Sequence, residues 1–288
     1  MMTKMTLLLE MHVARVKRHP VACGFVFLYA VAILLESFWL GGLLRRAAYL
    51  AALVAGTLIL DLFYPCEPQA EPPLPVRRPR LELLVAAAFL LGTVAWLCAH
   101  FQGHFSPFTL VTRLLWLGFA LLSLFNLGPA LFELLGMRYR PKDLGFRFCG
   151  LASVPLVILC FGAMAWASHS GITWDGAVAE AKGRVWMVPL VSFLVAALPE
   201  EFFRMIWQTR LGAVLKNPAT GWLIASVVWS FLHVPNFSAN APNLLQPLRF
   251  AFDMVPLGLF WGYATHRSRS ILPAICFHGT NFWGLQNF

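Results

Sequence analysis

Two adjacent carboxylates, Glu200 and Glu201, stand with Arg204 inside an otherwise apolar stretch from Trp186 to Leu215. At a bilayer centre each ionised carboxylate costs about 2.5–3.5 kcal/mol on insertion scales. A chain that carries two in succession must pair them or place them in a wet interior, and intramembrane ionisable groups mark function by default. The chemistry open to them is proton transfer, because a carboxylate in a desolvated pocket readily takes a proton from water. Glu200 and Arg204 are four apart, so on a helix they share a face and can pair. The planar arginine fork makes such a pair tolerable in low dielectric. Glu201 then points about 100° away. One glutamate is a candidate base and the other the partner of Arg204; the competing reading is a structural clamp between helices.

Further along, His233 closes the run Trp229-Ser230-Phe231-Leu232-His233, and His278 and Asn281 lie three apart in another apolar segment. That spacing puts His278 and Asn281 on one helical face. Together they can offer donors to a developing oxyanion. Taken singly, His233 also reads as a hydrogen-bonded core histidine, and His278 with Asn281 as an interhelical polar contact.

The elements that must carry these groups are membrane helices. The chain has 288 residues, 59% of them hydrophobic and 12% charged, with mean hydropathy +0.69. A soluble domain is about a quarter charged. The fold expected is all-α, a polytopic membrane helix bundle of about eight or nine transmembrane helices. Apolar segments of spanning length fall near 22–41, 47–64, 81–99, 108–136, 149–168, 186–211, 219–234, 248–265 and 271–287, with a kink expected at Pro129. Residues 1–21 are basic and mildly amphipathic, and Met5–Leu9 is too short for a signal-peptide core, so an interfacial helix is expected there. A proline-rich linker, 65–80, closes an N-terminal part (1–80) and leaves 81–288 as the main bundle, with the catalytic core at 186–288.

The net charge of +9 suits loops that face anionic headgroups and calls for no nucleic acid. Arg15, Lys17, Arg18, Arg77, Arg78, Arg80, Arg138, Arg140, Lys142, Arg210, Lys216, Arg267 and Arg269 fall in loops on one side of the counted spans. The positive-inside rule then places the N-terminus in the cytoplasm, with Arg45 and Arg46 as misfits. The six cysteines form no CxxC pair and read as small hydrophobes. Glu36, Asp61, Glu133 and Asp253 also interrupt or border spans; Asp253, between the motif helices, is a candidate to line their cavity. By helical rise, Glu200 and His278 come out nearer the cytoplasmic side, and His233 nearer the far side if its helix starts at Ala219.

The block 186–285 resembles the CPBP family, the CAAX-processing and bacteriocin-processing (Abi) membrane proteins. That family carries a Glu-Glu-xxx-Arg run, an aromatic-xxx-His and a His-xxx-Asn. Here they stand as Glu200-Glu201…Arg204, Trp229…His233 and His278…Asn281, and the stretch from Gly258 through Tyr263, Arg267 and Pro273 looks like the family's approach to its third motif. Two departures matter: only two residues separate Glu201 from Arg204, and Asn281 stands at +3 from His278. If Arg204 anchors the comparison, Glu201 must act as base from a shifted face; if the Glu-Glu pair anchors it, Glu200 is the base.

The resemblance implies an intramembrane glutamate endopeptidase of a prokaryotic plasma membrane, acting on a membrane-associated or lipidated peptide. A glutamate would activate water, and His233, His278 and Asn281 would orient it and hold the oxyanion. No cofactor is implied, with Zn²⁺ on two histidines and a glutamate as the alternative. A non-catalytic scaffold or immunity-type protein of the same fold competes with this, as does, more distantly, a proton-coupled transporter.

Overall fold

The computed structural model describes residues 4–64, 74–101, 127–168, 190–238, 241 and 243–281. Every regular element among them is helical. The order is α1 (Lys4–Arg18), α2 (Pro20–Leu40), α3 (Leu43–Phe63), α4 (Pro79–Phe101), α5 (Leu127–Leu131) continuing into a π-helical turn Phe132–Gly136, and α6 (Val154–Ala167). A π-helical stretch Val191–Ala197 then leads into α7 (Leu198–Val214), followed by α8 (Pro218–Phe231), the short α9 (Val234–Ser238), α10 (Leu245–Ser268) and α11 (Leu272–Asn281). The expected segments 108–126 and 282–287, the linker residues 65–73 and the stretch 169–189 lie outside the described residues.

Local chemistry sets the joints. Proline opens α2 and α8, where its missing N–H costs nothing, and the Asn217 side chain caps α8 by accepting the Thr220 N–H at 3.2 Å. Gly41 and Gly42, at φ of 87° and 89°, reverse the chain between α2 and α3 in a conformation that glycine alone adopts freely. The helix expected near the N-terminus is α1.

Among the described residues, α2 and α3 are long and apolar enough to cross a membrane. Leu127–Gly136, Leu151–Ala167 and Pro218–Phe231 are shorter apolar helices. α7 and α10 carry buried charged residues, which lowers their apolar character although they pack in a core.

Two compact units divide the chain, one from residues 1–73, 145–197 and 263–288, the other from 74–144 and 198–262. In the second, α7 and α8 form a helical hairpin whose backbones touch. A Cβ on Gly221 would stand 2.4 Å from the Gly212 nitrogen and 2.6 Å from the Gln208 carbonyl oxygen, so only glycine permits this approach. The early part of α10 packs on both: the Trp222 indole donates to the Leu259 carbonyl at 2.9 Å, Gln208 to the Gly262 carbonyl at 3.1 Å, and the Ser230 hydroxyl to the Ala251 carbonyl.

Three arginines expected to face headgroups pair internally instead. In the second unit Arg210 is buried on α7, 2.8 Å from Glu82 of α4 and 3.2 Å from Glu133 of the π-helical turn. Glu82 also accepts the backbone N–H groups of Arg77 and Arg78 at 3.2 and 2.6 Å and the Tyr139 hydroxyl at 3.0 Å. In the first unit, Asp61 at the end of α3 binds Arg267 at 2.7 Å, Arg15 of α1 at 2.9 Å and the Tyr263 hydroxyl at 2.6 Å. Asp61, Glu82, Glu133, Arg210 and the Arg267 side chain are essentially inaccessible. A buried charge must be paired, so Arg15, Arg210 and Arg267 answer carboxylates of their own chain rather than lipid, and they drop out of the charge tally for orientation.

Candidate active site

The first turn of α7 presents Glu200 and Glu201 on different faces, and the two acquire different partners. Arg204 forms its ion pair with Glu201, three residues back, with both side chains about 1% exposed. Of the two pairings the spacing leaves open, with Glu200 or with Glu201, the structure has the second. Both spacings bring side chains within reach; what selects Glu201 is the place of the guanidinium. It lies against two indoles, 4.5 Å from the Trp229 ring centroid and 5.1 Å from that of Trp261, and donates to the Gly258 carbonyl at 3.3 Å. Cation–π attraction strengthens when the cation is desolvated, so α8 and α10 together draw Arg204 to the Glu201 side of its helix.

Glu200 faces the end of α8. Its Oε2 accepts the Trp229 indole N–H at 2.7 Å and stands 3.5 Å from Nε2 of His233. The expected depth mismatch between Glu200 and His233 does not occur. Counted from Lys216 in the hairpin turn, Glu200 lies sixteen positions before and His233 seventeen after, so equal helical rise brings them level. The reading from Ala219 placed them apart by judging each helix from its own apolar limits, whereas the shared turn sets their common height.

The His233 ring is oriented by the backbone. Nδ1 lies 3.0 Å from the Trp229 carbonyl oxygen, which can only accept, so Nδ1 carries the proton in that bond. Nε2 is thereby directed at Glu200, with a lone pair when the ring is neutral and a second N–H when it is charged. The side chains of Glu200 and His233 are 30% and 20% exposed, against 1% for the Glu201–Arg204 pair. The Glu200–His233 pair is thus partly accessible where the Glu201–Arg204 pair is sealed.

His278 and Asn281 belong to the other unit, on α11. His278 is buried, and its neighbour Gly279 packs against Phe193 of the π-helical stretch, where a Cβ would come 2.3 Å from a ring carbon. The Asn281 side-chain oxygen is buried without a hydrogen-bond partner among the described residues. Asp253 lies on α10 in the unit that holds Glu200, partly exposed.

Trp229 and Trp261 were not among the residues singled out for chemistry. A signal for Trp229 was present: it stands four before His233, hence on the same helical face, and a buried indole N–H usually finds an acceptor. Trp261 carries no comparable signal, since its role depends on how α10 crosses α7. Among the described residues, no three His, Cys, Asp or Glu side chains gather closely enough to hold a metal ion.

No curated protein and no solved structure matches this chain. Residues 182–283, a stretch that spans all three motifs, match the family model described as type II CAAX prenyl endopeptidase Rce1-like, which agrees with the family that its motifs resemble.

Proposed function

We propose that the protein is an integral-membrane endopeptidase that hydrolyses a peptide bond in a membrane-associated or lipidated peptide or protein, with Glu200 as general base. One observation carries the choice of base: Arg204 is occupied by Glu201, while Glu200 meets an imidazole and remains partly accessible. In the proposed reaction a water oxygen attacks the scissile carbonyl carbon as its proton passes to the Glu200 carboxylate, and the carbonyl π pair moves onto oxygen. The tetrahedral species then collapses, the C–N bond breaks, and the proton on Glu200 goes to the leaving amine. His233 orients the water. His278 and Asn281 are assigned the oxyanion donors from the third motif. Glu201 and Arg204 hold the turn of α7 that presents Glu200.

The same reading extends to the whole chain. It is a bundle of eight or nine membrane helices with the N-terminal part at 1–80 and a cytoplasmic N-terminus, in a prokaryotic plasma membrane. It uses no cofactor and binds no nucleic acid; its partners are the substrate and the bilayer. Participation of a divalent metal such as zinc is the alternative. It predicts that a chelator abolishes, and added Zn²⁺ restores, an activity that the cofactor-free reading leaves unchanged.

The test compares membrane proteomes of cells carrying the wild type and Glu200→Gln. Uncleaved precursors accumulate only in the variant, and the purified wild type cuts them. Cleavage by purified Glu200→Gln, His233→Ala and His278→Ala at the wild-type rate would overturn the reading. The non-catalytic scaffold draws support from the two shortened motifs and predicts full biological activity in all three variants. A proton-coupled transporter would instead lose substrate-driven proton flux in liposomes.

A further inference from the structure

Trp229 touches three members of the constellation in its unit, Glu200, Arg204 and His233. Its indole N–H bonds Glu200 at 2.7 Å, its ring face lies 4.5 Å from the Arg204 guanidinium, and its backbone carbonyl takes the Nδ1 proton of His233 at 3.0 Å. Its ring also meets the imidazole edge-on, with centroids 5.0 Å apart.

The indole is itself held firmly. Trp229 is 1% exposed, and Trp261 packs on it edge to face with centroids 5.3 Å apart. Gly258 leaves room for it, since a Cβ there would lie 2.9 Å from a carbon of the indole. A flat side chain with two rotatable bonds, seated this way, has little freedom left. Its N–H is a fixed direction in space.

Residue type matters as well as shape. Phenylalanine would offer a ring face to Arg204 but no donor to Glu200. Tyrosine would offer a hydroxyl that can donate or accept. Tryptophan alone among these is donor-only, so its partner carboxylate oxygen is always on the accepting side. That suits a group whose task is to receive a proton from elsewhere.

We propose that Trp229 is the positioning residue of the site: its indole N–H aims the Glu200 carboxylate at His233 while its ring face holds Arg204 against Glu201. This deepens the protease reading and rests on Glu200 as the base, but its physical core, one indole N–H committed to one carboxylate, can be examined without any substrate.

The first measurement is the indole N–H region of a proton–nitrogen spectrum of full-length protein in nanodiscs. The Trp229 signal is the one absent from the Trp229→Phe spectrum. It should move upfield in Glu200→Leu, which has no acceptor, and stay in place in Glu82→Gln, which changes the buried Arg210 cluster instead. The second is kinetic. Trp229→Phe should lower kcat about ten- to a hundredfold, the scale of one hydrogen bond to a charged group, with KM changed by less than about twofold. Where Trp229→Phe proves poorly folded, benzothienylalanine at position 229 keeps the ring shape and removes the N–H, and should give the same loss. A Trp229 signal indifferent to Glu200→Leu, or a benzothienylalanine protein with wild-type kcat, overturns the proposal. A signal that responds to Glu200→Leu in a protein that cleaves no peptide sinks the protease reading alone and leaves the Trp229–Glu200 link standing.

Discussion

Arg204 forms its ion pair with Glu201, while Glu200 stands 3.5 Å from His233 Nε2. The two glutamates therefore differ in kind although they are adjacent: one neutralises a buried cation, the other meets a histidine at a partly open edge. Substitution should separate them. Glu201→Gln leaves the Arg204 guanidinium buried without a counter-charge, a loss on the order of 3–5 kcal/mol. Its thermal midpoint in detergent should drop by many degrees. Glu200→Gln should melt close to wild type while losing at least about a hundredfold in cleavage, the lower range for a general base. Equal melting behaviour in the two variants would contradict the division of roles.

The Glu82–Arg210–Glu133 cluster ties α7 to α4 and to the π-helical turn. Arg210→Met strands two buried carboxylates and should cost on the order of 3–5 kcal/mol. Adding Glu82→Gln and Glu133→Gln removes both stranded charges and should recover much of that loss. Denaturant titration of the single and triple variants checks this; a triple variant no more stable than Arg210→Met would show that charge is not the cause.

Asp61 joins α1 to α3 and the end of α10 through Arg15, Tyr263 and Arg267. Asp61→Asn should release α1, since Arg15 is its ionic tie to α3. Limited trypsin digestion should then cut at Arg15, Lys17 or Arg18 markedly faster than in wild type. Unchanged digestion would mean that the apolar contacts of Leu8 and Met11, both buried, hold the helix without the ion pair.

Tyr139, in the loop after the π-helical turn, should make stability fall at alkaline pH. Burial pushes its phenol up to about 12, with the Arg210 guanidinium pulling the other way and Glu82 adding to the rise. In the unfolded chain a tyrosine titrates near ~10. The proton is thus held more tightly in the folded state, and the stability it lends is complete below about pH 10 and lost as pH climbs towards about 12. Thermal midpoints of wild type should fall more steeply over that window than those of Tyr139→Phe. Parallel slopes would rule the phenol out as the cause.

Much of this molecule could be read without coordinates. Apolar runs bounded by proline, asparagine and glycine marked α2, α3, α4, α6, α8 and α10 to within a few residues, because hydrophobic length and capping chemistry are local properties of the chain. The spacing of Glu200, Glu201, Arg204 and His233 pointed to one site, since residues that are costly in an apolar helix are retained for a reason. What was misjudged involved partners far away in sequence. Arg15, Arg210 and Arg267 looked like loop charges, because a sequence shows a cation at the end of an apolar run but not the carboxylate another helix brings to it.

The residue types and their order thus determined that helices would form, where they would begin and end, and which side chains were too costly to be idle. Only the tertiary structure decided which glutamate Arg204 would hold. Positions three and four residues back both lie within reach of a helical arginine, so the local pattern leaves the choice open. Trp229, Trp261 and the Gly258 carbonyl settle it by fixing the guanidinium from two other helices. The hairpin contact at Gly212 and Gly221 adds the register that sets His233 level with Glu200.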